Sequence, residues 1–549
     1  MKKLSSIIVK MFAMTLVLSM LMLTGCSGSS SSSVAYIKDN EVYLDGNKIS
    51  EQFLDDIYAK DDSIAAEILY NVVKLSADGK RIFYPEKYIE HGAFSLFCRA
   101  GNGSPKAVAE KVTTYYVSDK GDRVAYRTRD EALYVHDLNN SEKIADKVVY
   151  YVFAKDGSRL LYVTKDYKLY IKDWGKKANL IDSYMFHNSY SLAIRCDENL
   201  NTVFFLKSKP KTDDVSKTEY GFSLFACKDG KTAKQIGKNV SSVMDLHTFD
   251  TSEVYYVATD GKEYYKYADC LVNDMGQEGE EKLNSYRNDD VTILHKSLWY
   301  YDGKQSKKIA SHIDTAGTFY QNGKKYVAYR QYEKQPVKEL PLSKADKEND
   351  VIEHVKSYFN SFVKLSIISG GKTIVTSKTN KILVGITDEA IYFTGEKYGY
   401  PDSNLYKSNI KNGVADDKLI IIKDVSARYN TFKNSIVYKS KAGDLYVDDK
   451  KIASNVHTFT VYTDDEGVEY LCCFTDYNKE DYSSTLKLYV DGEFETIAEK
   501  VRYDRVRNID NDLVLLNNYN KETSTFDLCI YSKGKLKKID SGVSSYIIR

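Results

Sequence analysis

An internal repeat restricts what this chain can fold into more than any other feature of its sequence. The segment Tyr115–Met185 contains two copies of one pattern, and placing Gly121 on Gly157 brings the tyrosine, arginine, leucine and aspartate positions of both copies into register. Within each copy, short runs of alternating apolar and polar residues are separated by turns, a pattern typical of half-buried β-strands. A repeat of about 40 residues made of such strands predicts an array of small antiparallel sheets.

Asp-Gly dipeptides mark tight turns along the same chain. They suit two-residue hairpins because glycine adopts positive φ without strain and aspartate accepts hydrogen bonds from the turn backbone. We therefore interpret these aspartates as turn residues rather than as a ring of carboxylates at a site. The dipeptides are Asp45-Gly46, Asp78-Gly79, Asp156-Gly157, Asp229-Gly230, Asp260-Gly261, Asp302-Gly303 and Asp491-Gly492.

A second recurring signal is a pair of apolar residues four positions apart. We interpret it as the place where the outermost strand of one sheet ends and the chain crosses to the innermost strand of the next sheet. The pairs are Ile49/Phe53, Val108/Val112, Ile144/Val148, Ile181/Met185, Ile236/Val240, Ile309/Ile313, Ile382/Ile386, Ile421/Val425, Ile452/Val456, Ile497/Val501 and Ile539/Val543.

Together these signals predict an all-β fold, a β-propeller with four-stranded antiparallel blades. The eleven apolar pairs exceed the four to eight blades that are usual in one ring. We therefore favour two rings, residues 34–313 and residues 314–549, over a single ring of about eight blades with inserts. One complete unit is predicted to have its strands at Thr114–Val117, Arg123–Arg127, Ala132–Asp137 and Lys143–Ile144.

The two ends of the chain complement each other. The first unit, Val34–Ser50, offers only three strands, whereas Ser545–Ile548 follows the last apolar pair as a lone strand. A closed ring removes the exposed sheet edges that an open array would leave. We therefore predict that Ser545–Ile548 completes the blade that begins with Val34–Ser50.

The turn motif resembles a known repeat. Residues 76–84 read Ser-Ala-Asp-Gly-Lys-Arg-Ile-Phe-Tyr, and residues 155–162 followed by residues 169–173 repeat the pattern. This resembles the WD40-like repeats of the TolB type (PD40-like), which are also found in the propellers of prolyl-oligopeptidase-like proteins. The resemblance is clear over residues 70–240 and partial over residues 400–549. It implies the fold and names no ligand.

The N-terminus is typical of a targeting signal. Lys2, Lys3 and Lys10 provide positive charge before the apolar run Met11–Leu23, which has the length of a signal-peptide core and is short for a membrane span. The run ends in Leu-Thr-Gly-Cys, which resembles the lipobox of bacterial lipoproteins. This resemblance predicts a signal peptide at residues 1–25, cleavage between Gly25 and Cys26, and lipid attachment at Cys26.

A tether is predicted to follow the lipidated cysteine. Residues 26–33 are almost entirely Ser and Gly, and such a segment behaves as a flexible linker. The mature protein would then be anchored by acyl chains, such as palmitate, to the extracytoplasmic side of the cell membrane. The membrane, reached through this anchor, is the first partner that the sequence predicts.

Two inserts interrupt the predicted repeats. The segment Asp350–Val363 has apolar residues at helical spacing and a capping pair formed by Asp350 and Glu353, which predicts a helix. We favour packing of this helix on a blade, and the alternative is a helix that docks a partner. The segment Tyr264–Tyr286 contains Glu278-Gly279-Glu280-Glu281 and is interpreted as a solvated loop rather than a cation site.

The sequence shows no motif for catalysis. Lys and Arg number 78 against 77 Asp and Glu, which disfavours nucleic-acid binding because that function needs an excess of basic residues. The chain lacks G-x-S-x-G, Walker A and G-x-G-x-x-G patterns, and its histidines and cysteines lack metal-ligand spacing. We therefore predict no catalytic residue, no metal site and no cofactor.

Cysteine and tyrosine are interpreted as packing residues. Cys98, Cys227 and Cys529 occur in similar strand contexts and are predicted to be small apolar strand residues. The 47 tyrosines suit half-buried strand positions, and we favour packing between blades over a sugar-stacking surface. His136 occupies the place of Lys172 in the neighbouring repeat and is predicted to be exposed.

The tether, the repeats and the missing motifs favour a binding or scaffolding module with a protein or glycan partner. The first alternative is an enzyme, a lyase or hydrolase that acts on envelope polymers, with a site assembled at the propeller channel from loops of different blades. The second alternative is an accessory or sensor subunit of an envelope complex.

Overall fold

The computed structural model describes residues 33–547, and every regular element in this part of the chain is a β-strand. The predicted helix at Asp350–Val363 lies outside the described residues, except that Val363 begins a strand. The stretches that are not described within this range are 40, 52–72, 90–92, 184–193, 208–220, 245–252, 267–270, 273–289, 322–323, 333–339, 342–362, 380, 398–399, 464–467 and 510–511.

The first four blades are built from short strands. Blade 1 contains β1 (Ala35–Lys38), β2 (Glu41–Leu44) and β3 (Asn47–Lys48). Blade 2 contains β4 (Lys74–Leu75), β5 (Arg81–Ile89), β6 (Ala93–Ala100) and the first part of β7 (Lys106–Val117). Blade 3 contains the rest of β7, then β8 (Val124–Thr128), β9 (Leu133–His136) and β10 (Ser141–Ala145). Blade 4 contains β11 (Val148–Phe153), β12 (Arg159–Thr164), β13 (Lys168–Asp173) and β14 (Asn179–Ser183).

Blades 5 to 8 include the longest hairpins. Blade 5 contains β15 (Ile194–Cys196), β16 (Thr202–Lys207), β17 (Phe222–Lys228) and the first part of β18 (Lys234–Met244). Blade 6 contains the rest of β18, then β19 (Val254–Lys266), β21 (Asp290–Tyr301) and β22 (Ser306–Ser311), while β20 (Leu271–Val272) pairs with β25 (Leu340–Pro341). Blade 7 contains β23 (Ile313–Gln321), β24 (Lys324–Tyr332), β26 (Val363–Ser369) and β27 (Lys372–Ser377). Blade 8 contains β28 (Ile382–Ile386), β29 (Ala390–Lys397), β30 (Tyr400–Lys411), β31 (Val414–Ala415) and β32 (Ile420–Ile422).

The last three blades lead back to the first. Blade 9 contains β33 (Val425–Phe432), β34 (Ser435–Ser440), β35 (Leu445–Val447) and β36 (Lys450–Ala453). Blade 10 contains β37 (Val456–Thr463), β38 (Glu469–Asn478), β39 (Ser483–Val490) and the first part of β40 (Glu493–Ile509). Blade 11 contains the rest of β40, then β41 (Asp512–Asn520), β42 (Thr525–Ser532) and the first part of β43 (Lys535–Ile547).

The predicted ring closure is confirmed. The end of β43 pairs antiparallel with β1, with Tyr546 opposite Tyr36 and Ser545 opposite Ile37. The Tyr36 hydroxyl donates a 2.7 Å hydrogen bond to Asp540, and Lys38 Nζ lies 3.0 Å from the same carboxylate. The last strand of the chain therefore completes the first blade.

Close packing of successive turns explains the Asp-Gly motif in blades 2 to 4. Gly157 has φ +72°, and a Cβ on it would lie 2.8 Å from the Cβ of Ser118 in the previous blade. The Arg123 guanidinium donates a 2.9 Å hydrogen bond to the Gly157 carbonyl, and the Asp119 amide donates one to the Lys155 carbonyl. Glycine is needed here for its backbone conformation and for this close approach.

The crossings between blades share a feature that the sequence did not reveal. In eight of the predicted apolar pairs, the residue just before the second member has positive φ. This left-handed residue turns the chain from one blade into the next. These residues are Lys111, Lys147, Asn239, His312, Asp424, Asn455, Lys500 and Gly542.

Three local predictions were wrong. Ile382 and Ile386 lie within a single strand, β28, so this pair marks no crossing. Asp260-Gly261 lies inside β19 at a register shift rather than in a hairpin turn. His136 is buried, because β10 covers β9 and the Ser141 hydroxyl lies 3.0 Å from the His136 ring nitrogen.

Each blade shares a buried apolar cluster with the next blade in the chain. The cluster that joins blades 6 and 7 contains Leu298 and Ile313 and crosses the predicted boundary at residues 313/314. A further cluster joins blade 11 to blade 1 through Leu528 and Tyr36. These contacts favour one circuit of eleven described blades over two rings, and the domain boundary stays a prediction.

Longer strands account for part of the wide spacing between the apolar pairs Ile236/Val240 and Ile309/Ile313. β19 has 13 residues and β21 has 12, so blade 6 spans more sequence than the short blades before it. Tyr264, predicted to begin a loop insert, lies within β19. The rest of that insert, apart from the end of β19 and β20, falls outside the described residues.

The predicted packing roles of cysteine and tyrosine are confirmed for the described residues that show them. Six described cysteines are buried free thiols. Tyrosine pairs stand opposite each other on neighbouring strands, with ring centroids 5.1–5.4 Å apart and nearly parallel planes. The cysteines are Cys98, Cys196, Cys227, Cys472, Cys473 and Cys529, and the tyrosine pairs are Tyr36/Tyr43, Tyr126/Tyr134, Tyr162/Tyr170 and Tyr438/Tyr446.

Candidate functional site

The site residues predicted from the sequence, Gly25 and Cys26, lie outside the described residues. Asp78, Asp156 and Asp302 accept hydrogen bonds within their own turns, as predicted, whereas Asp260 does not. Asp78 accepts hydrogen bonds from the Ser76 hydroxyl and the Lys80 amide, and these bonds hold the pKa of Asp78 below its usual value. A functional site therefore has to be sought among side chains that the sequence did not single out.

Cations and aromatic rings from the two innermost strands of blades 9 and 10 and from the start of blade 11 lie close together. We call this group the cation–aromatic cluster and define it as Arg428, Lys439, His457, Tyr477 and Tyr503. The His457 ring stacks on Tyr477 with centroids 3.8 Å apart and lies 5.5 Å from the Tyr503 ring. Lys439 Nζ donates a 2.6 Å hydrogen bond to the His457 carbonyl. Arg428, His457 and Tyr503 lie near the start of the innermost strands of blades 9, 10 and 11, and Lys439 and Tyr477 lie on the second strands β34 and β38.

Strand irregularities place these side chains. The pairing of β33 with β34 shifts register between Val425 and Tyr429, next to Arg428. The pairing of β37 with β38 shifts between Val456 and Thr458, on either side of His457. Bulges bend a strand and redirect its side chains, and they are common beside functional sites. Arg428 donates a hydrogen bond to the Thr458 hydroxyl, which links the two irregular strands.

The cluster carries an excess of positive charge. Burial lowers the pKa of His457 below its usual value, and the nearby charges of Lys439 and Arg428 lower it further. Burial, followed by the charge of Arg428, also lowers the pKa of Lys439. Among the described ion pairs, none uses Arg428 or Lys439. A ligand with negative charge would therefore relieve the repulsion between these two cations.

Acidic groups near the cluster have other partners. Asp504 receives two hydrogen bonds from Arg502, at 3.1 and 3.0 Å. Asp476 accepts hydrogen bonds from the Thr475 hydroxyl and the Asn455 side-chain amide. The Tyr503 ring is 41% exposed and Arg428 is exposed, so both are accessible to a ligand.

Open clefts of about 510–520 Å³ occur on other blades, but most of their charged groups have partners within the protein. In the cleft between blades 1 and 2, Asp78 serves its own turn and Arg81 donates to the Gly121 carbonyl. In the cleft beside Trp299, Asp260 is paired with Lys308. We therefore place the candidate site at the cation–aromatic cluster rather than in these clefts.

Two further observations concern the described residues only. They contain no group of three His, Cys, Asp or Glu side chains that could hold a metal ion. Within the described ranges, no helix is long and apolar enough to cross a bilayer.

No protein-family model matches this chain, and no curated protein matches it in sequence. Among solved structures, it is similar to the β-propeller domain of the Trilobed protease from Pyrococcus furiosus, with 13% identity and a TM-score of 0.27 over 64% of this chain and 95% of that chain. The antiparallel blades and the closure between β43 and β1, rather than this similarity, identify the fold as a β-propeller. A prolyl endopeptidase matches with 11% identity and a TM-score of 0.27 over 82% of this chain and 65% of its own.

A third similar structure is an oligogalacturonate lyase in complex with manganese, with 13% identity and a TM-score of 0.24 over 68% of this chain and 98% of that chain. Similarities with TM-scores this low carry no argument about this chain. The functional argument therefore rests on the side chains of this chain. The lipoprotein and TolB-type assignments stay predictions from the sequence.

The cation–aromatic cluster could not be found by reading motifs. Its members come from three blades, and no spacing in the chain links Arg428 to His457 or Tyr503. Each residue by itself has the appearance of an ordinary polar strand position. The left-handed residue at the crossing and the register shift after it give no local signal, because other blades share both features.

Proposed function

We propose that this protein is a binding module, held at the extracytoplasmic face of the membrane by a lipid on Cys26, and that it recognises an anionic glycan. The observation that carries the proposal is the cation–aromatic cluster, in which Arg428 and Lys439 lie beside the stacked rings of His457 and Tyr477 and the exposed ring of Tyr503.

The chemistry of the cluster suits a sugar that carries a carboxylate. The planar guanidinium of Arg428 can bind both oxygens of a carboxylate, and Lys439 adds a second positive charge. The exposed face of Tyr503 can pack against the apolar C–H face of a sugar ring while its hydroxyl stays in water. A uronic acid residue combines these two features, whereas a neutral sugar has only one of them.

Binding can be tested with a fragment that contains residues 27–549 and so keeps every described residue. The probe is a glucuronate-containing oligosaccharide, and its carboxyl-reduced counterpart is the matched ligand control. Calorimetry should show binding of the acidic probe that weakens as salt rises, with at least tenfold weaker binding of the reduced probe, a difference of about 1.4 kcal/mol.

Matched variants separate the site from general charge effects. Arg428→Gln and Tyr503→Ala should each weaken binding of the acidic probe. Arg129→Gln and Tyr482→Ala change an exposed arginine and an exposed tyrosine outside the cluster. Both should leave binding of the acidic probe unchanged. Equal binding of the acidic and reduced probes, or equal losses in the control variants, would overturn the proposal.

A specific observation supports a second candidate, a lyase. The lowered pKa of His457 keeps its imidazole neutral at neutral pH, and two cations lie beside it. Cations that neutralise a uronate carboxylate acidify the adjacent C–H group, and a neutral imidazole can accept that proton. Loss of the β-oxygen substituent, which takes up a proton as it leaves, would then form a carbon–carbon double bond.

The two functions differ in product formation. The double bond would be conjugated with the carboxylate and would absorb ultraviolet light. If incubation with the acidic oligosaccharide yields this absorbance and His457→Gln abolishes it, the protein is a lyase. If binding occurs without product, the protein is a binding module. The remaining alternative, an accessory or sensor subunit, would instead require a protein partner.

A further inference from the structure

The order of strands within each blade gives the propeller two distinct faces. Each innermost strand begins where the chain arrives from the previous blade and ends at the turn into the second strand. We call the side that carries the left-handed crossing residues, such as Asp424, Asn455 and Lys500, the crossing face. The opposite side, which carries the turns between innermost and second strands, such as Asp78-Gly79 and Asp156-Gly157, is the turn face.

Hydrogen bonds between neighbouring turns show that the turn face is continuous from blade to blade. The Ala77 amide donates to the Asp119 carbonyl at 2.6 Å, and the Asp119 amide donates to the Lys155 carbonyl at 2.7 Å. Between blades 8 and 9, the Asp388 amide donates to the Asn434 side chain at 2.9 Å. The innermost strands of these blades therefore all run from the crossing face to the turn face.

All members of the cation–aromatic cluster lie at the crossing face. Arg428, His457 and Tyr503 follow the left-handed crossing residues by two to four positions, so they lie at the beginning of the innermost strands. Lys439 and Tyr477 lie one residue before the ends of the second strands β34 and β38. The end of each second strand pairs with the beginning of the innermost strand, which places it at the crossing face. A ligand of the cluster therefore approaches from this face.

The chain enters the propeller at the turn face. Val34 is buried, its amide donates a 2.9 Å hydrogen bond to the Asp45 carboxylate, and its carbonyl accepts a 3.1 Å bond from the Asp45 amide. Asp45 belongs to the turn between β2 and β3, and Ala35 pairs with the end of the innermost strand β43. Ser33 borders a cleft beside the Asp78-Gly79 turn of blade 2. These contacts fix the face from which the chain emerges.

The tether predicted at Ser27–Ser33 is too short to reach round the propeller. A Ser/Gly chain of this length has an r.m.s. span of about 15 Å and a fully extended length of about 25 Å. To place the crossing face on the membrane, the tether would have to pass over β2 and β3, about 10 Å, and then cover the height of the blade, about 15–25 Å. Because this path equals or exceeds the fully extended tether, the anchor holds the turn face toward the membrane.

We propose that the protein is attached with its turn face toward the membrane and its cation–aromatic cluster directed away from it, and that the cluster binds an anionic polymer lying beyond the membrane surface. Anionic lipid headgroups offer the same charge to Arg428 and Lys439, but those of the anchoring membrane lie on the opposite side of the propeller. This orientation rests on the lipid anchor and the glycan site proposed above. It decides the source of the ligand, which the chemistry of the cluster leaves open.

Energy transfer from the protein to the membrane measures the orientation. Lys521 and Lys535 are exposed lysines at opposite ends of β42, Lys521 on the crossing face and Lys535 on the turn face. The full-length lipidated chain with Cys270→Ser would carry a dye at Lys521→Cys or at Lys535→Cys, in vesicles that contain an acceptor-labelled lipid. The described cysteines are buried, so the same chain without an added cysteine is the labelling blank.

The dye at Lys535→Cys should transfer energy to the lipid roughly twofold or more efficiently than the dye at Lys521→Cys, because β42 separates them by about 25 Å. Insertion of about 40 Gly and Ser residues after Ser33 should abolish the difference, because such a tether has an r.m.s. span of about 35–40 Å. Equal transfer with the natural tether, or stronger transfer from Lys521→Cys, would overturn the orientation. A difference that persists with the long tether would overturn the tether as its cause.

Competition distinguishes the two sources of negative charge. The full-length chain would be attached to vesicles of phosphatidylcholine, or of phosphatidylcholine and phosphatidylglycerol in equal parts, and titrated with the glucuronate oligosaccharide at physiological salt. The affinities should agree within about twofold, because the Debye length is about 8 Å and the headgroups lie beyond the far face of the protein. Binding that is roughly tenfold weaker on the anionic vesicles would show that headgroups reach the cluster and would overturn the orientation.

Failure of the earlier proposals would give different results. A full-length chain that does not attach to vesicles would overturn the lipid anchor and the orientation together. A fragment 27–549 that does not bind the oligosaccharide in solution would overturn the glycan site and the polymer named here. Loss of the transfer difference in an attached chain whose fragment does bind the oligosaccharide overturns the orientation alone.

Discussion

Removal of the Asp540 carboxylate should loosen the ring at its closure. This carboxylate accepts the 2.7 Å hydrogen bond from Tyr36, whose side chain is fully buried, and an ion pair from Lys38. A hydrogen bond to a charged group contributes about 1.5–3 kcal/mol, and an ion pair this accessible about 0.2–1 kcal/mol. We therefore expect Asp540→Ala to lower the free energy of unfolding by about 2–4 kcal/mol.

The seam between blades 4 and 5 offers a matched control. Asp182 and Lys207 form a 2.6 Å ion pair with similar exposure, but no buried tyrosine donates to Asp182 and the ring does not close there. Asp182→Ala should therefore cost only about 0.2–1 kcal/mol.

The location of the effect can be measured as well as its size. Hydrogen exchange followed by mass spectrometry should show faster exchange in Ala35–Lys38 and at the end of β43 for Asp540→Ala, and no change there for Asp182→Ala. If both variants exchange equally at the closure, or if Asp540→Ala speeds exchange uniformly around the ring, the reasoning that places stability in this contact is refuted.

The stability of the pairing between β1 and β43 should also depend on pH. Burial would raise the pKa of Asp540, but the hydrogen bonds from Tyr36 and Lys38 outweigh burial and hold the pKa below its usual value. A carboxyl whose pKa is lower in the folded state stabilises the protein above its unfolded pKa, about 4, and loses that contribution as the pH falls through the folded pKa. The protection of the closure amides, relative to their intrinsic exchange rate at each pH, should therefore fall in acid, and Asp540→Ala should remove that dependence.

Three further outcomes are expected. Gly157→Ala should lower the melting temperature more than Gly492→Ala, because both residues have positive φ but only at Gly157 would the added Cβ lie 2.8 Å from another side-chain atom, the Ser118 Cβ; equal losses would contradict the stacked-turn explanation. Cys26→Ser should release the protein from membranes, and persistence on washed membranes would disprove the lipid anchor. Affinity for the acidic oligosaccharide should rise as the pH falls below neutrality, because protonation of His457 adds a positive charge to the cluster. If His457→Gln shows the same pH dependence of affinity as the wild-type protein, this explanation is wrong.

Much of the fold could be read from the sequence because it depends on short-range patterns. The strands of blade 3 fall where the alternation predicted them, and the lone C-terminal strand pairs with β1 as the count of strands required. The apolar pairs marked crossings correctly wherever a left-handed residue precedes the second member, and failed at Ile382/Ile386, where the chain is a continuous strand. The Asp-Gly rule predicted a turn at Asp260-Gly261, but this dipeptide lies at a register shift within the long strand β19.

The candidate site could not be predicted in this way. His457 meets Tyr503 and Arg428 only because the innermost strands of three blades converge around the channel, and that convergence brings together residues far apart in the chain. His136 shows the same limit on a smaller scale. Its repeat partner Lys172 suggested exposure, but both side chains are buried because the outermost strands cover them.

The sequence by itself determined the strands, the turns and the closure of the ring, because alternation, glycine turns and strand number are properties of neighbouring residues. The tertiary structure alone decided how the blades follow one another, which polar residues are buried, and where cations and rings meet. These properties depend on contacts between blades. Contacts between residues far apart in the chain produce no repeated pattern in the sequence from which they could be predicted. The 36-residue offset between Gly121 and Gly157 therefore predicted a propeller, while the proposed ligand had to be inferred from side chains that three blades bring together.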